Sequence, residues 1–316
     1  MGNIKQELQK IKILNELYTK WKWRERHVSY GNQHPDKTFF VVRRASCKVG
    51  LFSHVMTNMG LVDYAVKQGY IPVVDMQSNA NTYLEDDKIG KENAWEYYFK
   101  QPCGYSLTDI KEAKNVILSN GLITSQNSYP DFRITEEDEL FQYWHNVFRQ
   151  YFRPADEMAE EFERKRKELF GTSRILGILA RGTDYVSMKP KGHPIQPTVE
   201  QIIEKATEIM KNYQCEKIYL ATEDQEIYEK LMSAFDGRIL APETERFTTL
   251  GKQNINDMGS KERNNKVQKG REYLLSIMLL SGCNCLLAGN VGGTHGALLM
   301  NDEYEYKYIF ELGYYR

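Results

Sequence analysis

Between Arg174 and Met300, short apolar runs alternate with longer stretches whose apolar residues recur at helical spacing. A parallel sheet covered by helices is the arrangement that satisfies such a pattern. "RILGILA" reads as a strand and "PTVEQIIEKATEIMKNY", opening at Pro197, as a helix. "KIYLAT" and "GRIL" are strands on either side of the helix "DQEIYEKLMSAF", and "NCLLAG" is a strand between the helices "REYLLSIMLLSG" and "GGTHGALLM". Nearer the N-terminus, "KTFFVVRR", "GLFSHVMTNMGLVDYAVKQGY" and "IPVVDMQ" form a β-α-β unit, followed by the strand "KNVILS". Residues near 135 to 170 read as helices broken at Pro154. The expected border lies there, giving an N-terminal α/β domain at 1–155 and a C-terminal Rossmann-like domain at 156–316, with the last residues returning to the first. A chain of 316 residues accommodates two such domains, and two domains imply a cleft.

Composition narrows the partners. Lys and Arg number 42 against 43 Asp and Glu, so no global positive field recruits nucleic acid. The five cysteines are odd in number and scattered, which suits reduced thiols. Cys283 and Cys285 stand at alternate-strand spacing without a second ligand pair, so no metal is expected. No apolar run reaches the roughly 20 residues of a membrane span, and no signal peptide is visible, so a soluble, cytoplasmic protein is expected. Gln6 stands where a myristoylation motif wants Ser or Thr. Ile4, Leu8, Ile11, Leu14, Leu17 and Trp21 recur at helical spacing among lysines. The expected helix packs on its own domain, with peripheral membrane contact as the alternative. The polar stretch from Glu243 to Asn265 reads as a functional or disordered loop.

Ligands of open α/β sheets bind beyond the carboxyl ends of the strands, and three strand ends carry chemistry. After "RILGILA" come Arg181, Gly182, Thr183 and Asp184. An arginine there offers a planar fork for phosphate, and the aspartate can orient it or accept a hydroxyl proton; the alternative is a pair that pins a loop. After "KIYLA" come Thr222, Glu223 and Asp224, which suit sugar hydroxyls or a helix cap. After "NCLLAG", Gly289, Asn290, Gly292, Gly293 and Thr294 open a helix whose N–H groups favour an anion, although such glycines also make ordinary turns. His193, before Pro194, orients its loop or meets the ligand, and His295 is a structural histidine or a contact. His54, Trp95 and Glu96 are candidates on the acceptor side; core packing is the alternative for "NAWEYYF". No P-loop, nucleophile elbow or dinucleotide fingerprint is present in the sequence. These residues point to a protein that binds a diphosphate-bearing ligand, as a sugar-nucleotide glycosyltransferase does.

"LARGTDYVSMKPKGHPI", "IYLATEDQEIYEKL" and "GREYLLSIMLLSGCNCLLAGNVGG" resemble, in order and spacing, the three donor-site motifs of the α-1,6-fucosyltransferase and protein O-fucosyltransferase superfamily. The likeness covers roughly residues 174 to 300, with a less specific echo in "FFVVRRASCKVGLFSHVMTNMGLVDYA". It implies a GT-B-like pair of Rossmann-like domains facing across a cleft, GDP-fucose as donor, a glycan acceptor, inversion, and neither metal nor other cofactor. Arg181 matches the arginine that holds the donor's β-phosphate, and Asp184, His193, Thr222 and Asp224 also fall on matched positions. Gly292 and Gly293 fall where the family presents polar side chains. Gly182 replaces a second arginine, Tyr185 and Lys189 replace a basic-acidic pair, and Ser276, with Glu272 one turn earlier, stands where an aspartate reads guanine. Asp184, His54 and Glu96 are the candidates for the general base. A different sugar nucleotide, or a non-catalytic sugar-nucleotide-binding protein, are the alternatives.

Overall fold

β-branched and aromatic residues in "TFFVV", "IPVV" and "VIL" build the first sheet, and a computed structural model shows how. It describes residues 2–46, 49–122, 129–182, 189–242, 246–247 and 265–316, with side chains from residue 12 onward. Strands β2 (Gln33–Val42), β3 (Ile71–Val74) and β4 (Ala113–Leu118) are parallel, and β1 (Arg26–Val28) pairs antiparallel with β4, giving the order β1-β4-β2-β3. Alternation along β2 sends Phe40 and Val42 toward α2 (Leu51–Lys67), while Phe39 and Val41 meet Ile110 and Val116 on the opposite face.

The second sheet is wholly parallel, in the order β7-β6-β5-β8-β9. Its strands are β5 (Ile175–Leu179), β6 (Lys217–Ala221), β7 (Ile239–Leu240), β8 (Cys285–Gly289) and β9 (Tyr306–Phe310). Among the described residues four helices connect them: α5 (Val199–Asn212), α6 (Gln225–Ala234), α7 (Lys266–Ser281) and α8 (Gly292–Met300). Leu176, Ile178, Ile218 and Leu220 pack with Ile202, Ile209 and Leu231 from α5 and α6. From the other face, Ile175, Leu179, Tyr219 and Leu286 join Leu274 and Ile277 of α7 in a core that runs on to Phe40, Phe52 and Trp144 of the N-terminal half. The strand order reverses between β5 and β8, so the switch point of the sheet lies at their carboxyl ends.

The connection near Pro154 behaves as its sequence demands. α3 (Asp138–Tyr151) ends before it and α4 (Asp156–Phe170) starts after it; α3 packs on α8 and α4 on α7. Gly296 of α8 lies so close to Phe52 of α2 that a Cβ there would overlap the ring, which brings the starts of these two helices together. The C-terminal residues pair with the loop after β5 through Tyr315 N to His193 O (2.9 Å) and Ile195 N to Gly313 O (2.9 Å). Tyr314 also reaches back to Glu136, its hydroxyl donating across 3.1 Å.

One expectation is corrected. α1 (Gly2–Trp23) forms, but Ile13, Leu14, Leu17, Tyr18 and Trp21 are 51, 64, 58, 59 and 58 % exposed. The helix touches the first sheet through its last turn, where Trp23 is buried against Gly121, and no facing element covers the rest of the stripe among the described residues. The stretch expected as a long loop, Glu243 to Asn265, lies outside the described residues except for Arg246, Phe247 and Asn265.

Candidate functional site

Two residues beyond β5, Arg181 emerges beside the end of β6 because the two strands pair in parallel from Ile175↔Lys217 to Leu179↔Ala221. Its guanidinium Nη1 stands 2.5 Å from Glu223 Oε1, with side chains 19 and 24 % exposed. Partial burial strengthens that pair relative to a surface bridge and holds the fork in one direction. Gly182 follows for a packing reason. A side chain there would run into the Asp224 carboxylate and Ile227, so the space that a second arginine needs is filled by the next strand end.

Asp224 takes the capping alternative. It is buried, and its Oδ1 accepts from the backbone N–H groups of Glu226 and Ile227, both at 3.0 Å, at the start of α6. Thr222 Oγ1 accepts from Asp224 N at 3.2 Å and shapes the same turn. Phe247 N donates to Glu223 O at 2.8 Å, which lays Arg246 alongside this edge. Arg246, which no sequence motif singled out, stacks on Tyr228 at 3.8 Å and donates to Pro242 O at 2.9 Å. Burial lowers its guanidinium pKa.

At the third strand end, α8 starts at Gly292 behind Val291 with no side-chain cap, and Gly293 and Thr294 of its first turn are buried; a helix start carries unsatisfied N–H groups and the positive end of the dipole, which suit an anion. The neighbouring polar side chains are engaged within the fold. Thr294 is fully buried and donates to Gly289 O at 2.6 Å. Asn290, also buried, donates to Thr135 Oγ1 at 2.8 Å and Phe132 O at 3.2 Å, while its Oδ1 lies 2.7 Å from His295 Nε2. Burial depresses the His295 pKa to about 4, so the neutral imidazole donates to Asn290 there. A Cβ on Gly289 would strike Gln196, and one on Gly293 would come within 3.0 Å of Ile277 and Tyr273. Gly292 has room, with Phe52 at 3.5 Å.

His193 is half-buried, its ring edge-on to Phe132 at 5.6 Å, with its pKa lowered by burial. Phe132 also meets His295 edge-on at 5.6 Å. Glu272 accepts from Gln268 at 3.0 Å along α7, and Ser276 Oγ lies 3.4 Å from the buried Tyr219 hydroxyl under the sheet. Asp184 lies outside the described residues.

From the N-terminal half, Phe52 in the first turn of α2 lies against Gly292 and Gly296 of α8, and Tyr83 is buried within reach of the Arg181 and Glu223 charges. Burial raises the Tyr83 phenol pKa, with Tyr273 and Glu223 adding to the rise while the Leu51 N–H and Arg181 oppose it. Tyr83 packs edge-on to Tyr98 at 5.8 Å, and Tyr273 edge-on to Phe52 at 5.9 Å. Neither tyrosine carried a sequence signal, because each stands between a polar residue and a leucine (Thr82 and Leu84, Glu272 and Leu274), which leaves its side of the chain open. His54 is buried on α2, edge-on to Tyr83 at 6.2 Å. Trp95 is wholly buried, stacked on Phe99 at 4.8 Å and donating to Lys100 O at 3.1 Å, so it presents no face to a sugar. Glu96 is exposed, accepts from Gln101 at 2.9 Å, and belongs to a segment tied to the end of β3 through Gln101 and Val74 (2.8 Å). Among the described residues no cluster of His, Cys, Asp and Glu could hold a metal ion, and no helix is long and apolar enough to cross a membrane.

Neither a protein-family model nor a curated protein sequence matches the chain. Solved structures do. POFUT1 in complex with GDP superposes with a TM-score of 0.55 at 8 % identity, over 87 % of this chain and 99 % of that one. NodZ alpha-1,6-fucosyltransferase soaked with GDP-fucose gives 0.49 at 15 %, over 84 and 93 %. Fucosyltransferase NodZ from Bradyrhizobium gives 0.48 at 15 %, over 84 and 94 %. Two α/β halves, a reversal of strand order at β5 and β8, and an arginine beyond β5 are thus set on the GT-B-like fold that this chain shares with POFUT1.

Proposed function

We propose that the protein is a glycosyltransferase that moves fucose from GDP-fucose to a glycan acceptor, with inversion and without a metal. The observation that carries this reading is the Arg181–Glu223 pair at the open ends of β5 and β6, beside the uncapped, glycine-rich start of α8. A cation and a helix N-terminus converging on one sheet edge suit a diphosphate. The order of the three motifs around them, and a fold shared with a protein solved with GDP, support the same donor.

In this reading the C-terminal half holds the donor and residues 1–155 offer the acceptor. Arg181 neutralises the charge that builds on the departing GDP, a contact that strengthens from ground state to transition state. Glu223 orients the guanidinium. The first N–H groups of α8 bind diphosphate oxygens, with Gly292 leaving the approach open. Inversion requires a base within hydrogen-bond reach of the acceptor hydroxyl, and Asp184 and Glu96 are the carboxylates assigned to that search. A cytoplasmic location and a place in surface-polysaccharide synthesis belong to the same proposal. Gly182 and Ser276 favour, as a second reading, the same chemistry with a different sugar nucleotide.

The test is release of GDP from GDP-fucose in chelator-containing buffer, with and without glycan acceptors. Faster release than from UDP- or ADP-sugars is expected. Release from another nucleotide sugar alone moves the donor, and binding with no turnover for any donor contradicts the enzymatic reading.

A further inference from the structure

We propose that α1 lies on an anionic membrane surface, with its apolar stripe at the headgroup boundary. Leu14, Leu17, Tyr18 and Trp21 recur at three- and four-residue spacing, so they share one side of the helix. All four are more than half exposed. Lys12, Glu16 and Lys20 lie on the opposite side.

Charge selects the occupant. Residues 2–24 hold six basic side chains (Lys5, Lys10, Lys12, Lys20, Lys22 and Arg24) against Glu7 and Glu16, whereas the whole chain carries a net charge of −1. A second copy would bring two equally basic helices together, while an anionic surface complements them. The stripe also carries the residue types that favour an interface. Tyr18 and Trp21 stack at 6.0 Å, and the Arg24 guanidinium covers the Trp21 ring at 4.8 Å. No described helix is long and apolar enough to cross a membrane, so α1 lies along the surface.

The attachment has a direction. Trp23 is buried, its carbonyl accepts from Gly121 N at 2.8 Å, and Arg43 donates to Arg24 O at 3.1 Å. Gly121 follows β4, so α1 leaves from the carboxyl edge of the first sheet, the edge on which α2 starts. A docked α1 holds that edge toward the lipid. This inference is independent of the donor assignment.

Trp21 reports the event without a label. Of the four tryptophans, Trp23, Trp95 and Trp144 are buried and Trp21 is 58 % exposed. The full chain would be mixed with vesicles of phosphatidylcholine alone and with added phosphatidylglycerol, following co-sedimentation and tryptophan emission. We expect binding and a blue shift with the anionic vesicles, weakening with salt, at on the order of fivefold in affinity per basic side chain near the surface. The L14E/L17E double variant should lose at least roughly tenfold in vesicle binding while keeping the wild-type melting temperature. Absence of binding to anionic vesicles, equal binding to both compositions, or a concentration-dependent dimer that shifts Trp21 emission without vesicles would each overturn the proposal.

Discussion

Arg181 stands where two strand ends meet, paired with Glu223. Replacing it with Ala should lower kcat by about 10²- to 10³-fold, the scale of a lost transition-state donor; steady-state kinetics read this loss, and a thermal melt reads separately the cost of removing one partner of a largely buried ion pair. His295 has a different signature. Its folded-state pKa of about 4 lies below the ordinary value of 6.5, so the unfolded chain binds this proton more readily. The associated stability is complete above pH 6.5 and is lost as pH falls toward 4, by roughly 3 kcal/mol at the limit. Urea unfolding at pH 7 and pH 5 should show that slope in the wild type and a shallower one in His295→Gln.

Caps and close approaches set the positions of whole elements around the site. Asp224 caps α6 through two backbone N–H groups, so Asp224→Ala should destabilise by about 1 kcal/mol, whereas Asp224→Asn keeps the cap. A role for the charge itself would appear as activity lost in Asp224→Asn at unchanged stability, measured by denaturation and turnover together. Gly296→Val forces Phe52 and α8 apart and should cost about 1–3 kcal/mol in a urea titration. At this scale much of the fold was legible. The Leu/Ile-rich runs at 175–179, 217–221 and 285–289 and the helical periods between them needed no tertiary context. β9 was missed because "YKYIF" mixes lysine with tyrosines and lacks the apolar continuity of the other strands. The strand-end rule located Arg181 and Glu223, and Asp224 was legible as a cap. Tyr83 and Tyr273 were not, because their ring partners, His54 and Tyr98 for the one and Phe52 for the other, are distant in sequence, which no local pattern encodes. For α1, amphipathicity marked a face to be covered and left its cover unspecified.

Across the whole molecule, the core that begins under the second sheet continues through α7 and α8 into the helices of the N-terminal half. The two halves should therefore unfold in one calorimetric transition, raised as a unit by a bound nucleotide; two separable transitions would contradict a shared core. The central claim is that this edge binds a guanosine diphosphate through Arg181. The most direct test is a calorimetric titration with GDP, UDP, ADP and CDP, in buffer containing a metal chelator, on wild type and Arg181→Ala. Selective GDP binding that disappears in the variant is the predicted result, and a preference for another nucleotide, or GDP binding indifferent to Arg181, would contradict the account.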